Sequence, residues 1–185
     1  MNKKCLLFPV LLIMATAGFA QAPHFSLSAI GGTEIAFSPV VDTLDAPPFK
    51  PGVKGEIQFD YSIHGFESLN VYANMGYGLL PTKPDGTIEI SNLNRIEFSV
   101  GTSYRFPFGG NFALRVFADV GYYLGFFAEK AGGDVMFSTG LSAAYTIIPQ
   151  LSLGLIPRYR LYAHESTGTI HSLDVLMQVS WHIDG

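Results

Sequence analysis

An all-β chain is what this sequence predicts: a single eight-stranded antiparallel up-and-down β-barrel that spans a membrane. Three observations lead there. Hydrophobic residues make up 48% of the 185 and charged residues only 14%, against about 25% charged in an ordinary soluble domain. Past the N-terminus, no apolar run approaches the roughly 20 residues that a spanning helix needs. Apolar and polar residues instead alternate with period two through most of the chain, and no helical 3.6 pattern is sustained. A chain this apolar without apolar helices must cross with strands.

The same composition excludes other classes. Low charge with high hydrophobicity argues against intrinsic disorder. Lys and Arg total 11 against 15 Asp and Glu, so a nucleic-acid binder reading through a basic face is not expected.

The elements follow in chain order. Residues 1–20, MNKKCLLFPVLLIMATAGFA, place Lys3 and Lys4 before an apolar stretch, Leu6 to Met14, and small residues Gly18 and Ala20 before a cut. This is the layout of a secretory signal peptide removed after Ala20, leaving a barrel domain over residues 21–185. The one cysteine, Cys5, goes with it. An exported chain without thiols has no disulfide to stabilise it.

Eight alternating segments then run over about 24–37, 52–63, 68–80, 93–106, 111–125, 134–147, 151–163 and 170–183. Tight turns at His64–Glu67, Pro107–Gly110 and Ile148–Gln150 alternate with longer polar links at Ser38–Pro51, Pro81–Asn92, Phe126–Gly133 and His164–Thr169. Gly and Pro punctuate both kinds of connection. Short turns on one side and long loops on the other describe a meander.

Alternation alone does not say which face is inside, because a lipocalin-like soluble periplasmic barrel is apolar inside and a membrane barrel apolar outside. Charge decides first. The segment 111–125 puts Phe112, Leu114, Val116, Ala118, Val120, Tyr122 and Leu124 on one face, and Arg115 and Asp119 on the other. In every central span the apolar phase avoids Asp, Glu, Lys and Arg. Lipid demands this, since Arg or Lys at the midplane costs about 2–4 kcal/mol. Size decides second: the small residues, such as Gly76, Gly78, Ser138, Gly140, Ser142 and Gly154, lie in the polar phase. They suit a lumen just wide enough for side chains.

The apolar-phase aromatics decide third. Phe25, Tyr61, Tyr104, Phe106, Phe112, Tyr145 and Trp181 fall near one rim, and Phe37, Tyr77, Tyr122, Phe137 and Tyr159 near the other. Amphipathic rings prefer headgroup depth, so two girdles mark the two membrane interfaces.

These features together resemble the small outer-membrane barrels of diderm bacteria, of the OmpX, OmpA transmembrane-domain and OmpW type. The resemblance implies outer-membrane localisation. It also implies contact with outer-membrane lipid, and delivery by periplasmic chaperones and the barrel assembly machinery. A monomer is expected. One departure is the C-terminus, Trp181-His182-Ile183-Asp184-Gly185, where such chains usually end on an aromatic residue. Leu173, Val175, Met177, Val179 and Trp181 still supply an alternating last strand.

The inward phase carries Lys54, Arg95, Arg105, Arg115, Arg158 and Arg160, balanced by Glu34, Glu56, Asp60, Glu97, Asp119 and Asp174. Unpaired charges in a narrow lumen are costly to desolvate, so a paired, hydrogen-bonded network that plugs the barrel is expected. The function it predicts is structural or surface-interacting, through four longer external loops. Alternatives are a narrow pore or hydrophobic-solute conduit, with only scattered lumenal apolar groups such as Ile30, Tyr72, Phe117 and Tyr162, and a lipid A-modifying enzyme. The deacylases among such barrels carry His-x-Ser near a late strand with a carboxylate, which His164-Glu165-Ser166 and Asp174 match loosely. Thr167 stands where that family has Asn, and no catalytic site is assigned. His24, His64, His171 and His182 are dispersed without metal-ligand spacing, so no metal and no cofactor is expected.

Overall fold

The structure, a computed structural model, describes residues 25–37, 49–63, 65–81, 92–107, 111–127, 130–163 and 169–183. The expected signal peptide lies outside them. Eight strands follow in order: β1 (Phe25–Phe37), β2 (Gly52–Ile63), β3 (Phe66–Pro81), β4 (Asn92–Pro107), β5 (Phe112–Phe127), β6 (Lys130–Ile148), β7 (Leu151–Tyr162) and β8 (Ile170–Ile183). Each pairs antiparallel with its chain neighbours, and β1 also pairs with β8 to close the barrel. Closure leaves no strand edge unpaired, which is what lets a sheet survive where no water can satisfy its backbone.

Phe25 pairs with both Tyr61 and Ile183, so the strand ends at the tight turns form one rim, the turn rim. The longer connections leave from the opposite loop rim. Register irregularities occur at Ser62/Ile63 and Thr146/Ile148, both at the turn rim. There Gly65 takes a left-handed φ of 79°, which a residue without Cβ adopts at little cost.

One connection differs from the sequence expectation. Phe126–Gly133, read as a long loop around Gly132-Gly133, is ladder: Phe126 pairs with Ala131, Gly125 with Gly132 and Phe127 with Lys130. Cross-strand pairing overrides the local turn signal of two adjacent glycines. The β5–β6 hairpin therefore projects, and the longer connections number three.

The two faces separate as the alternation requires. Val53, Phe59, Val100, Val120, Phe137, Leu155, Val175 and Met177 are exposed on the outer surface. The inner wall buries Glu34, Lys54, Glu56, Arg95, Glu97, Arg158, Arg160 and Asp174. Apolar groups also enter the lumen where the inward phase supplies them. Ile30, Ile156 and Leu176 cluster with Phe117, and Tyr123, Met136 and Tyr162 cluster with Ile170.

Inward glycines make room for these large lumenal groups. A Cβ on Gly140 would lie 2.7 Å from the Phe117 ring, and one on Gly121 would meet the Phe98 carbonyl oxygen and sit 2.8 Å from Met136 Cε. Gly55, on the outer face, has nothing within 4 Å of its would-be Cβ. Gly121→Ala is therefore expected to cost about 1–3 kcal/mol, as overpacking does, while Gly55→Ala is near neutral. Urea unfolding of the two variants in lipid vesicles checks this.

Candidate functional site: the charged lumen

Strand pairing brings the inward charges of β1, β2, β4, β7 and β8 to one depth, in the loop-side half of the barrel. Glu34 stands opposite Asp174, Gly78 opposite both Lys54 and Arg95, and Arg158 opposite Asp174. The chain therefore gathers four carboxylates and four cations from positions as distant in sequence as Glu34 and Asp174. Gly76 and Gly78 of β3 leave the space: Cβ atoms there would lie 2.7 Å from Glu56 Cγ and 3.1 Å from Arg95 Nη2.

The groups interlock. Arg158 grips Glu56 with both terminal nitrogens, Nη1 donating to Oε2 at 2.9 Å, and it also donates to Asp174 from Nε at 3.1 Å and Nη2 at 3.0 Å. Asn74 donates to Glu56 Oε2 at 2.6 Å, and Arg160 Nη2 to its Oε1 at 3.0 Å. Arg160 Nη1 also binds Glu97, and Arg95 Nη2 binds Glu34. Lys54 Nζ lies 2.6 Å from Glu97. Paired guanidinium–carboxylate forks of this kind are among the stronger and more directional hydrogen bonds.

Tyr162 joins the two halves of this network. Its hydroxyl accepts from Lys54 at 3.0 Å, donates to Glu97 at 2.8 Å, and lies 3.2 Å from Glu34. The Arg95 guanidinium lies over its ring, 4.4 Å from the centroid, a favourable placement for a cation on a π face. On the loop side Tyr123 packs edge-on against Tyr162 at 5.2 Å, beside Met136. On the other side Ile156 and Leu176, two residues along from Arg158 and Asp174, pack with Ile30. Apolar layers thus bound the ionic layer above and below.

The remaining charges lie nearer the turn rim and behave differently. Arg115 donates to Asp60 at 2.7 Å, and Gln58 donates to both oxygens of Asp60. Asp119, expected to pair with a cation, accepts instead from two hydroxyls, Tyr72 at 2.8 Å and Ser138 at 2.5 Å. Arg105, also expected in the network, is exposed at the turn rim, cross-strand from Arg115. No carboxylate lies within salt-bridge reach of it among the described residues. Strand spacing separates these residues from the eight: an even position along a strand fixes the face, and its depth follows from register alone. Between the two groups, a cavity lined by Tyr72, Phe117, Ile156 and Gln178 has about 10 Å³ of free space, room for about one water.

The fold can be placed among known ones. No protein-family model matches the chain, and no curated protein matches it in sequence. Solved structures do. Neisserial surface protein A aligns over 87% of this chain and 99% of its own, at 11% identity and a TM-score of 0.63. A major outer membrane protein from Thermus thermophilus aligns over 88% and 100%, at 13% identity and 0.58. OprG from Pseudomonas aeruginosa aligns over 89% and 97%, at 10% identity and 0.57. This chain has the fold of the small eight-stranded outer-membrane barrels.

Of the apolar-phase aromatics, Phe25, Phe37, Tyr77, Tyr104, Phe106, Phe112, Tyr122, Phe137, Tyr145, Tyr159 and Trp181 are exposed on the outer face, and Tyr61 is partly exposed, its ring tilted against that of Phe25. His164, Glu165 and Ser166 lie outside the described residues, while Asp174 is committed to Arg158 in the lumen. His171 pairs with Tyr159 on the outer face, and His182 with Ser152 at 2.9 Å. No cluster of His, Cys, Asp and Glu that could hold a metal is found among the described residues. Sequence reading missed Leu80, Met136, Ile156 and Leu176 as lumen residues; the signal was their parity with Gly78, Ser138, Arg158 and Asp174.

Removing one member of the ionic layer leaves its partners buried and uncompensated. Glu97→Gln is expected to destabilise the barrel by about 3–5 kcal/mol, and Arg160→Gln by a similar amount. The double variant should lose much less than the sum, because the pair is removed together. A double-mutant cycle by urea unfolding in vesicles measures that coupling.

Proposed function

We propose that this protein is a monomeric outer-membrane barrel with a sealed, charge-paired lumen and a structural or surface-interaction role carried by the connections of its loop rim. The observation that supports this most is the ionic layer: all eight side chains are at most 2% exposed. Eight strands give an interior just wide enough for side chains to fill, and here they fill it. Glu56 and Asp174 each engage more than one cation, so opening a path for solute would break several buried pairs at once.

The outer surface supports that placement. Its valines, leucines and aromatics suit lipid, and the two aromatic girdles suit the two headgroup regions. An even number of strands puts Phe25 and Ile183 on the turn rim together. That rim would face the periplasm after export through the signal peptide, chaperones and assembly machinery, with the longer connections outside. The acidic groups of those connections, among them Asp42, Asp45, Asp85, Glu89 and Glu165, keep that surface soluble and available to partners.

Two measurements test this. In planar bilayers the folded protein should give a flat trace, and steady single-channel steps would overturn the sealed lumen. Val100→Arg, at mid-depth on the outer face, should cost about 2–4 kcal/mol of folding into bilayers, and Val53→Arg, near the loop rim, about 0–1 kcal/mol. Equal costs at the two depths would count against a membrane-spanning outer face.

A further inference from the structure

Outside the ionic layer the lumenal charges still sum to zero, Arg105 and Arg115 against Asp60 and Asp119, but they are not paired one to one, because Asp119 takes two hydroxyls and no cation. Arg105 and Arg115 stand directly opposite each other on β4 and β5, both on the inner wall. Like charges in direct cross-strand pairing are destabilising. Asp60 binds Arg115 and also takes Gln58. Arg115 therefore has a carboxylate partner, and Arg105 has none within salt-bridge reach among the described residues. Arg105 is exposed and the Arg115 side chain is 20% exposed, so the pair is open to solvent from this rim.

Two buried donors stand beside it. Ser103 precedes Arg105 by two residues on the same wall and pairs across the ladder with Asn70 of β3. Ser62 donates to Asn70 Oδ1 at 2.6 Å. Asn70 Nδ2 and Ser103 Oγ are buried with no hydrogen-bond partner, at 4% and 2% exposure for the two residues. Native proteins satisfy nearly all such groups. Two orphaned neutral donors and two guanidiniums in direct cross-strand pairing therefore lie within two ladder steps of one another near the turn rim.

We infer that this patch is an oxyanion site for a phosphate group, entered from the turn rim and formed by Arg105, Arg115, Ser103 and Asn70. A phosphate has oxygens enough to take both guanidinium forks and the two neutral donors together, and Arg is the side chain whose geometry suits it. Binding would replace Arg–Arg repulsion with attraction. The same chemistry has two sources at this rim: free phosphate in the aqueous compartment, or the headgroup phosphate of a lipid in the adjoining leaflet. The inference rests on the barrel interior and not on where the barrel resides.

The test uses the folded chain in a maltoside detergent, which carries no phosphate, at fixed salt. Inorganic phosphate and dihexanoyl phosphatidic acid are titrated separately, followed by phosphorus NMR line width. Saturable broadening is expected with at least one probe. Binding to inorganic phosphate identifies a free-anion site, and binding to phosphatidic acid alone identifies a lipid headgroup. Arg105→Gln, whose side chain is exposed and outside the ionic layer, should weaken binding about tenfold or more, the value of one charge-assisted contact. Lys50→Gln, exposed near the loop rim, should leave it unchanged. Heat-dependent electrophoretic mobility confirms that each variant is folded. No saturable response to either probe, or equal binding by folded Arg105→Gln, would overturn the inference.

Discussion

A barrel that gives its apolar face to lipid has no hydrophobic core of its own, and everything inside this molecule answers that constraint. In a soluble domain, burial of apolar surface is the dominant favourable term. Here the inner wall of an eight-stranded barrel must be filled with groups that cohere without it. The chain does so with a neutral layer of four carboxylates and four cations, tied together through Tyr162 and Asn74. Desolvating eight ions is expensive. The cost is offset because Glu56 accepts two hydrogen bonds on each oxygen, each of the other three carboxylates binds at least one cation, and the charges sum to zero within the layer.

The apolar groups of the lumen make sense in that light. Ile30, Ile156 and Leu176 lie on one side of the ions, and Tyr123, Met136 and Ile170 on the other. They keep water from the layer and so strengthen its internal attractions, since Coulomb energies grow as the local dielectric falls. They also confine the strongest interactions to a single depth. Towards the turn rim the wall changes character, to serine, asparagine and glutamine side chains, an Asp119 held at one oxygen by two hydroxyls, and two arginines near the mouth. The interior is thus asymmetric along its axis, ionic in the loop-side half and mostly neutral and polar towards the turn rim.

That asymmetry carries the functional reading. In the proposed placement the connections of the loop rim stand outside on a rigid frame, which is where binding surfaces are commonly built. The turn-side half holds the cross-strand arginines and the buried donors without partners. The solved structures that share this fold do so at 10–13% identity, so they speak to the fold alone, and the lumen must be read from this chain.

Period two settles the face of every strand residue, because successive side chains point to opposite sides of a sheet. The sequence by itself therefore determined eight strands, an outward apolar surface, rim aromatics such as Phe25, Tyr77, Tyr145 and Trp181, and an inward set of charges. It could not determine depth. Which charges meet depends on the register between strands, and register is fixed by the whole ladder closing on itself. That is why Glu34 meets Arg95 and Glu97 meets Arg160, while Arg105, in the same phase as Arg95 and Glu97, ends at the rim opposite another arginine. The tertiary structure also decided the β5–β6 hairpin, where Gly132-Gly133 reads locally as a turn but is held in ladder by pairing with Leu124 and Gly125. Alternation is a local property and was legible; closure is a global one, and only the folded barrel supplies it.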